Sequence, residues 1–473
     1  MHDFISYLML LGALGSNGSL PFWAVSNQYG LMPENNGVLA VAAARTSFDD
    51  SKTFQWQWGV SLAYNGSAMV DELYVDGRWK CIRLDLGMQH RDRDFLGADA
   101  SLGSLSTSSG HLVESGNSRS MPGYNLVVEP WSIPGLHDHL WVSGEWGDYT
   151  TIDKRYVQGA LVHRTKFALR YDINKAFFLQ IGLDHYALWG GDSPIYGKMP
   201  ITFNNYFRVV TGSHASSSGT ISDQINVIGD QGGAEHFKFG YRGESYNITF
   251  QAEKPYNDGS GMGHQNFPDG LYTLHFSMKD KSRWISDVLC EYIYTMWQSG
   301  TRHETYGPDG KVIILGGLDN YFTNGEYRSG WTHFGNAICS PMFFTGDRNG
   351  DGIIEVENNR IRGIHLGLSG SLFKAAPYRL MVTYSKNYGT YPRPYISPSA
   401  MHTDWKWWRR DDIDKPLRQL SVGFTTQYTF ASSRQRNPHF TLTGGVFYDK
   451  GSFTGSPFGF TLGMKCSLQK FNK

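Results

Sequence analysis

The sequence predicts an all-β protein: a single transmembrane, antiparallel, up-and-down β-barrel domain over residues 1–473. Three observations predict it. Apolar side chains recur at every second position in many segments. Aromatic residues reach 15% in a chain that is only 40% hydrophobic. And no apolar run approaches the ~18–20 residues that a spanning helix needs; the longest, YLMLLGAL at 7–14, is far too short.

The alternation is clearest in three stretches. In FQWQWGVSLAY, Phe54, Trp56, Trp58, Val60, Leu62 and Tyr64 all fall on even positions. Ile82, Leu84, Leu86 and Met88 repeat the pattern, as do Phe458, Phe460, Leu462, Met464, Cys466 and Leu468 near the end of the sequence. Shorter examples cover 166–173, 237–241, 246–252, 272–278, 380–384 and 420–430. A period of two gives an extended strand one apolar and one polar face. A water-facing sandwich alternates too. Here the strands run past eight residues, near the ~9–11 of a tilted membrane strand. Aromatics gather near strand ends, where an interfacial girdle places them. The loops are unequal, some tight and others long and rich in Gly, Asp and Asn. In lipid every backbone N–H and C=O must be paired, which only a closed barrel achieves with strands. At ~10 residues per strand plus turns, the length accommodates about 16 to 20 strands.

Other classes recede. Lys+Arg and Asp+Glu both number 43, so no bulk field draws nucleic acid. Cys81, Cys290, Cys339 and Cys466 form no CxxC pair and are too few to staple the chain; they read as isolated membrane- or core-facing thiols. His2 and Asp3 give residues 7–14 no basic leader, so the sequence is expected to start at a mature end. The 16 histidines make no HExxH, and GxSxG is missing, so no enzyme is expected.

Five groups of residues are candidates for more than wall. In TGDRNGDGIIEVENNR (345–360), Asp347, Asn349 and Asp351 match the first alternate ligands of a calcium loop. Gly352 fits its sharp turn and Ile353 offers a carbonyl. The closing acid is out of step: Asn358 stands in its place and Glu357 falls one short. The alternative is a solvated acidic turn; calcium here would be a staple, and no other cofactor is required. In MHTDWKWWRRDDID (401–414), Trp405, Trp407 and Trp408 adjoin Lys406, Arg409, Arg410, Asp411 and Asp412. Rings stack on sugar C–H faces while charges take hydroxyls and uronates; the alternative is an interfacial Trp belt with snorkelling cations. Residues 20–30, LPFWAVSNQYG, read as strand, turn and strand re-entry, with Pro21 at a strand start or bulge. Arg83 and Asp85 point inward, opposite Ile82 and Leu84, and are expected to pair with Arg78, Asp71 and Glu72 across the lumen. The Ser/Gly-rich stretch 97–123 reads as a loop folding inward.

Several short motifs have a shared order and spacing. They are the LPFW stretch just quoted; SGNSRSMP from Ser115; DGSGM from Asp258 with NFPDGL from Asn266; EYIYT from Glu291 with QSG from Gln298; DNYF from Asp319 with SGW from Ser329; NNRIR from Asn358 with HLG from His365; and YSKNYGT from Tyr384. Together, over almost the whole chain, they resemble the Wzi capsule-assembly family in its Bacteroidetes-type branch. The resemblance implies a bacterial outer-membrane barrel of about 18 strands. It also implies a lectin-like role in holding capsular or exopolysaccharide, without covalent chemistry. Enterobacterial members block the lumen with helices at the periplasmic end. Here strand-like sequence begins almost at Met1, so a plug is expected from inward loops such as 97–123. The competing readings are a diffusion porin or solute channel, and a scaffold with envelope protein partners at the periplasmic turns. The bore discriminates, being open and polar in a channel and filled in a lectin.

Overall fold

A computed structural model of the chain describes residues 4–91, 106–135, 139–215, 219–220, 223–224, 227–300, 303–306, 308, 312–317, 319–395, 415–430 and 438–470. The barrel strands are β1 (Phe4–Gly15), β2 (Gly37–Thr46), β3 (Phe54–Tyr64), β4 (Ala68–Trp79), β5 (Ile82–Met88) and β6 (Gly123–Ser132). They continue with β7 (Leu140–Thr150), β8 (Leu161–Asp172), β9 (Phe177–Trp189), β10 (Asp230–Arg242), β11 (Tyr246–Tyr256) and β12 (Gly270–Met278). The last are β13 (Asp287–Tyr294), β14 (Ile361–Leu372), β15 (Ala376–Asn387), β16 (Leu417–Phe430), β17 (His439–Gly451) and β18 (Phe458–Lys470). Each pairs antiparallel with its neighbour in the chain. β1 pairs with β18, from Phe4 opposite Lys470 to Gly15 opposite Gly459, and closes an 18-stranded barrel.

The alternation sorts the two faces as expected. Leu8, Leu10 and Leu14 of β1, Phe54, Trp56, Leu62 and Tyr64 of β3, Ile82, Leu84 and Leu86 of β5, and Phe458, Phe460, Leu462, Met464 and Leu468 of β18 are exposed on the outer wall. Ser61, Ala63 and Asp85 between them are buried on the inner side. β4 breaks parity once. Val70 faces out at an even position, but Leu73, Val75 and Trp79 face out at odd ones. A bulge sets Ser61 opposite Glu72 and Leu62 opposite Val70, leaving Asp71 as the extra residue.

Connections 47–53, 80–81, 133–139, 173–176, 243–245, 279–286, 373–375 and 431–438 are short and share the end where β1 begins and β18 ends. The opposite end carries the long connections 16–36, 89–122, 190–229, 257–269, 295–360 and 388–416, together with the shorter 65–67, 151–160 and 452–457. Outer-membrane barrels keep short turns in the periplasm and long loops outside. Near the short turns aromatic rings pair on the outer wall: Phe177 with Tyr241 at 5.1 Å, Tyr246 with Phe276 at 5.3 Å, Trp284 with Phe373 at 5.7 Å and Tyr428 with Phe430 at 5.2 Å. That is one rim of the expected girdle.

Two helices matter. Residues 22–25 form a single turn, α1 (Phe22–Val25), inside the lumen, which corrects the strand-and-turn expectation for this stretch. Pro21 is its N-cap; a proline is tolerated at a helix start because the first amides lack intrahelical partners anyway. α2 (Phe203–Val210) lies on the outer wall. The Thr202 hydroxyl accepts from the Asn205 amide at 3.2 Å, and Val209 packs with Ala187, Trp189 and Ile228.

Candidate functional site

Three long connections turn inward and fill the lumen. Residues 106–122 cross it, with Leu112 and Val113 fully buried. They are fastened to the wall mainly by carboxylates that point inward. Glu291 accepts from the Ser108 hydroxyl at 2.7 Å and from the Ser109 amide at 2.9 Å. Glu253 accepts from the Leu112 amide at 3.0 Å and meets His111 Nδ1. Arg379 donates to the Ser106 carbonyl at 3.0 Å, and His365 Nε2 donates to the Thr107 carbonyl at 2.7 Å. The fit is close: a Cβ on Gly367 would stand 2.5 Å from the Thr107 carbonyl oxygen, so only glycine lets the plug reach the wall there. Gly110 turns the chain at φ +101°, in the left-handed region.

The second connection, 16–36, brings in α1. The Trp23 indole donates to the Thr383 hydroxyl at 3.1 Å, and the Phe22 amide donates to Asp449 at 2.8 Å. The third, 319–346, supplies Tyr321, Phe322, Trp331 and Phe343, all almost without exposure. Trp331 stacks on Tyr186 at 4.0 Å and donates to the Val113 carbonyl at 2.6 Å. An aromatic cluster therefore packs inside the barrel among the inward-turning loops. Residues 92–105 lie outside the described residues; 106–122 bear out the inward loop.

The motif residues meet here. Asp269 accepts from the Trp297 and Gln298 amides at 2.9 and 2.6 Å and from the Tyr321 hydroxyl at 2.9 Å. Burial pushes its carboxyl up to about 7 despite these donors. Asn359 donates to the Tyr321 carbonyl at 2.9 Å, and Asn358 donates to Asn387 at 3.0 Å. Asn117 donates to the Ala337 carbonyl at 3.2 Å. His333 donates from Nδ1 to the Arg119 carbonyl at 2.9 Å, while its Nε2 faces the Ile152 amide at 3.5 Å. Burial lowers His333 to about 4, so it is neutral at pH 7. The stretches that carry the family resemblance are thus the pegs of a plug.

The calcium-like loop sits outside this core, as a hairpin in which Thr345–Gly346 pairs with Glu355–Val356. Its acids are engaged within the protein. Asp347 accepts from the Asp351 and Gly352 amides at 3.1 and 2.8 Å. Asp351 takes Arg328 at 2.6 Å and accepts from the Ile353 amide at 3.1 Å; the Arg328 hydrogen bond holds its carboxyl below the usual range. Asn349 and Glu355 both accept from Arg393 at 3.1 Å. Glu357, half-buried, is pushed up by burial. Arg393 and Tyr395 lead directly into 396–414, so the hairpin braces the base of the segment bearing Trp405, Trp407, Trp408, Arg409, Arg410 and Asp411. Those six lie outside the described residues.

Among the inward charges, Arg83 pairs with Asp85 at 2.7 Å and with Glu129 at 3.3 Å, and Arg78 with Glu129 at 3.9 Å. Asp71 and Glu72 do not join them; they turn to His90. The four cysteines are unpaired, with Cys339 in the core, Cys290 exposed on the wall, and Cys81 and Cys466 partly exposed.

No protein-family model matches the chain, and no curated protein does. Solved structures match by shape. Wzi, an outer-membrane protein involved in group 1 capsule assembly in Escherichia coli and a carbohydrate-binding β-barrel, aligns with TM-score 0.55 at 11% identity, covering 97% of this chain and 83% of that one. OccK3 of Pseudomonas aeruginosa aligns with TM-score 0.47 at 10% identity over 99% and 96% of the two chains. OprD of the same organism gives 0.47 at 9% over 100% and 96%. This chain is a bacterial outer-membrane barrel. At such identities the likeness is one of fold, and what this outer-membrane barrel binds must come from its own residues.

Proposed function

We propose that this outer-membrane barrel is a Wzi-type surface lectin of the Bacteroidetes-type branch, holding capsular or exopolysaccharide at the cell exterior and helping to attach or assemble a capsule. One observation carries the reading: a buried apolar cluster packs inside the lumen. Trp23, Leu112, Tyr321, Phe322 and Trp331 are buried together where a diffusion channel needs a continuous wet path. The sequence of 401–414 supplies Trp405, Trp407 and Trp408 for stacking on sugar faces, and Arg409, Arg410 and Asp411 as partners for hydroxyls and uronates. Weak contacts repeated along a polymer give firm attachment through effective concentration. Asp347, Asn349, Asp351, Ile353 and Glu357 are the proposed calcium set. An ion there would take over the charge balance that Arg328 and Arg393 supply and stiffen the base of the Trp-bearing segment.

The test is capsule retention in a deletion strain, scoring cell-attached against shed polysaccharide. Shedding is the expected result; unchanged attachment counts against the lectin. Liposome swelling with mono- and disaccharides addresses the channel alternative, and rapid swelling with the native chain would favour it.

A further inference from the structure

The bulge in β4 gathers donors that no sequence motif announces. It turns two consecutive acids, Asp71 and Glu72, toward the lumen, and the connection leaving β5 places His90 between them. Asp71 Oδ1 lies 2.7 Å from His90 Nε2, and Glu72 Oε1 lies 4.0 Å from His90 Nδ1. One donor atom from each of the three residues lies within 4.8 Å of the others. Each is held in place. The Ser61 hydroxyl donates to Asp71 Oδ2 at 2.8 Å, the His90 amide donates to Glu72 Oε1 at 2.8 Å, and the imidazole stacks on Tyr29 at 3.6 Å.

The atom that points to a ligand is His90 Nε2. It is sealed from solvent and close to a carboxylate oxygen, yet it makes no hydrogen bond. An Asp–His ion pair aligns N–H with oxygen. Two donors of one metal ion instead approach each other off that axis, since both aim at a third point. Asp71 faces Arg119, whose guanidinium donates to the Val70 carbonyl at 3.1 Å.

We propose that Asp71, Glu72 and His90 bind a divalent transition-metal ion, with zinc the best fit. Calcium and magnesium prefer all-oxygen shells, whereas zinc accepts mixed nitrogen and oxygen donors at ~2.0–2.2 Å and leaves a fourth position for water. His90 opens the connection 89–122, whose later part fills the lumen. An ion there ties the root of the plug to the wall, whatever the barrel binds outside.

The full chain in detergent, stripped by chelator and titrated with zinc chloride, tests this. One equivalent of zinc, counted by elemental analysis after gel filtration, is expected to stay with the chain and to raise its melting temperature. Asp71→Asn and Glu72→Gln are each expected to weaken zinc affinity at least tenfold. Failure of the unmutated chain to retain zinc overturns the proposal, and this readout does not depend on a variant folding. Wild-type affinity in both variants overturns it too. Equal stabilisation by calcium would remove the transition-metal assignment.

Discussion

Two loop regions share the long-loop end of the barrel. In the plug, Glu253 and Glu291 are buried and spend their oxygens on amides and hydroxyls of 108–112, while Trp331 lies between Tyr186 and the Val113 carbonyl. In the 345–357 hairpin, Asp347 and Asp351 are solvated and meet backbone amides and Arg328. Both regions are polar in sequence. The first behaves as protein interior, where an unpaired group is costly; the second behaves as surface, where an ion pair is worth little. The family-like motifs fall almost wholly in the first. They report how the inward loops are fastened to the wall.

The contrast can be broken by experiment. The largest effect is expected from Trp331→Ala, which removes a stack and a hydrogen bond from the buried cluster. Loss of about 3–5 kcal/mol of plug stability should appear as faster hydrogen exchange over 106–122 and as new conductance in planar bilayers, with the barrel still folded. If conductance stays at the native level, the plug is not what closes the lumen. Acid comes next. The native pKa of His333 is depressed, so its stabilisation is complete above about 6.5 and is lost as pH falls through about 4. The loss is on the order of 2–3 kcal/mol, read as plug exchange against pH; His333→Asn should flatten that profile. Glu291→Gln sets an amide against the Ser109 amide and should cost roughly 1–3 kcal/mol in the same assay. Asp351→Asn should leave the melting curve unmoved. Calcium should slow proteolysis within 345–360 without changing plug exchange, and chelator should reverse this; equal slowing in Asp351→Asn would count against Asp351 as a ligand.

The wall was readable because period two is a local property. Phe54 to Tyr64 and Phe458 to Leu468 announce their outward faces residue by residue. The bulge was readable in principle, since the apolar parity slips from Val70 to Leu73, and that slip places Asp71 and Glu72 on one face. The pairing expected for them with Arg83 missed it. The plug was legible only as a loop of suspicious length. Its contacts join residues hundreds apart, such as Ser109 with Glu291 and Phe22 with Asp449, and nothing local encodes them. For the same reason α1 was misread: a single turn has no period, and burial against β15 and β17 rather than propensity holds it.

The pairing of Phe4–Gly15 with the closing strand has a further consequence. The two extremities of the ribbon are zipped to each other, so a partly delivered chain exposes two raw edges, each with a row of amides that hydrocarbon cannot solvate. Insertion is therefore all or nothing at that seam. Whatever chaperones the molecule must shield the free edge of β1 until β18 arrives, and damage to either strand threatens the whole cylinder.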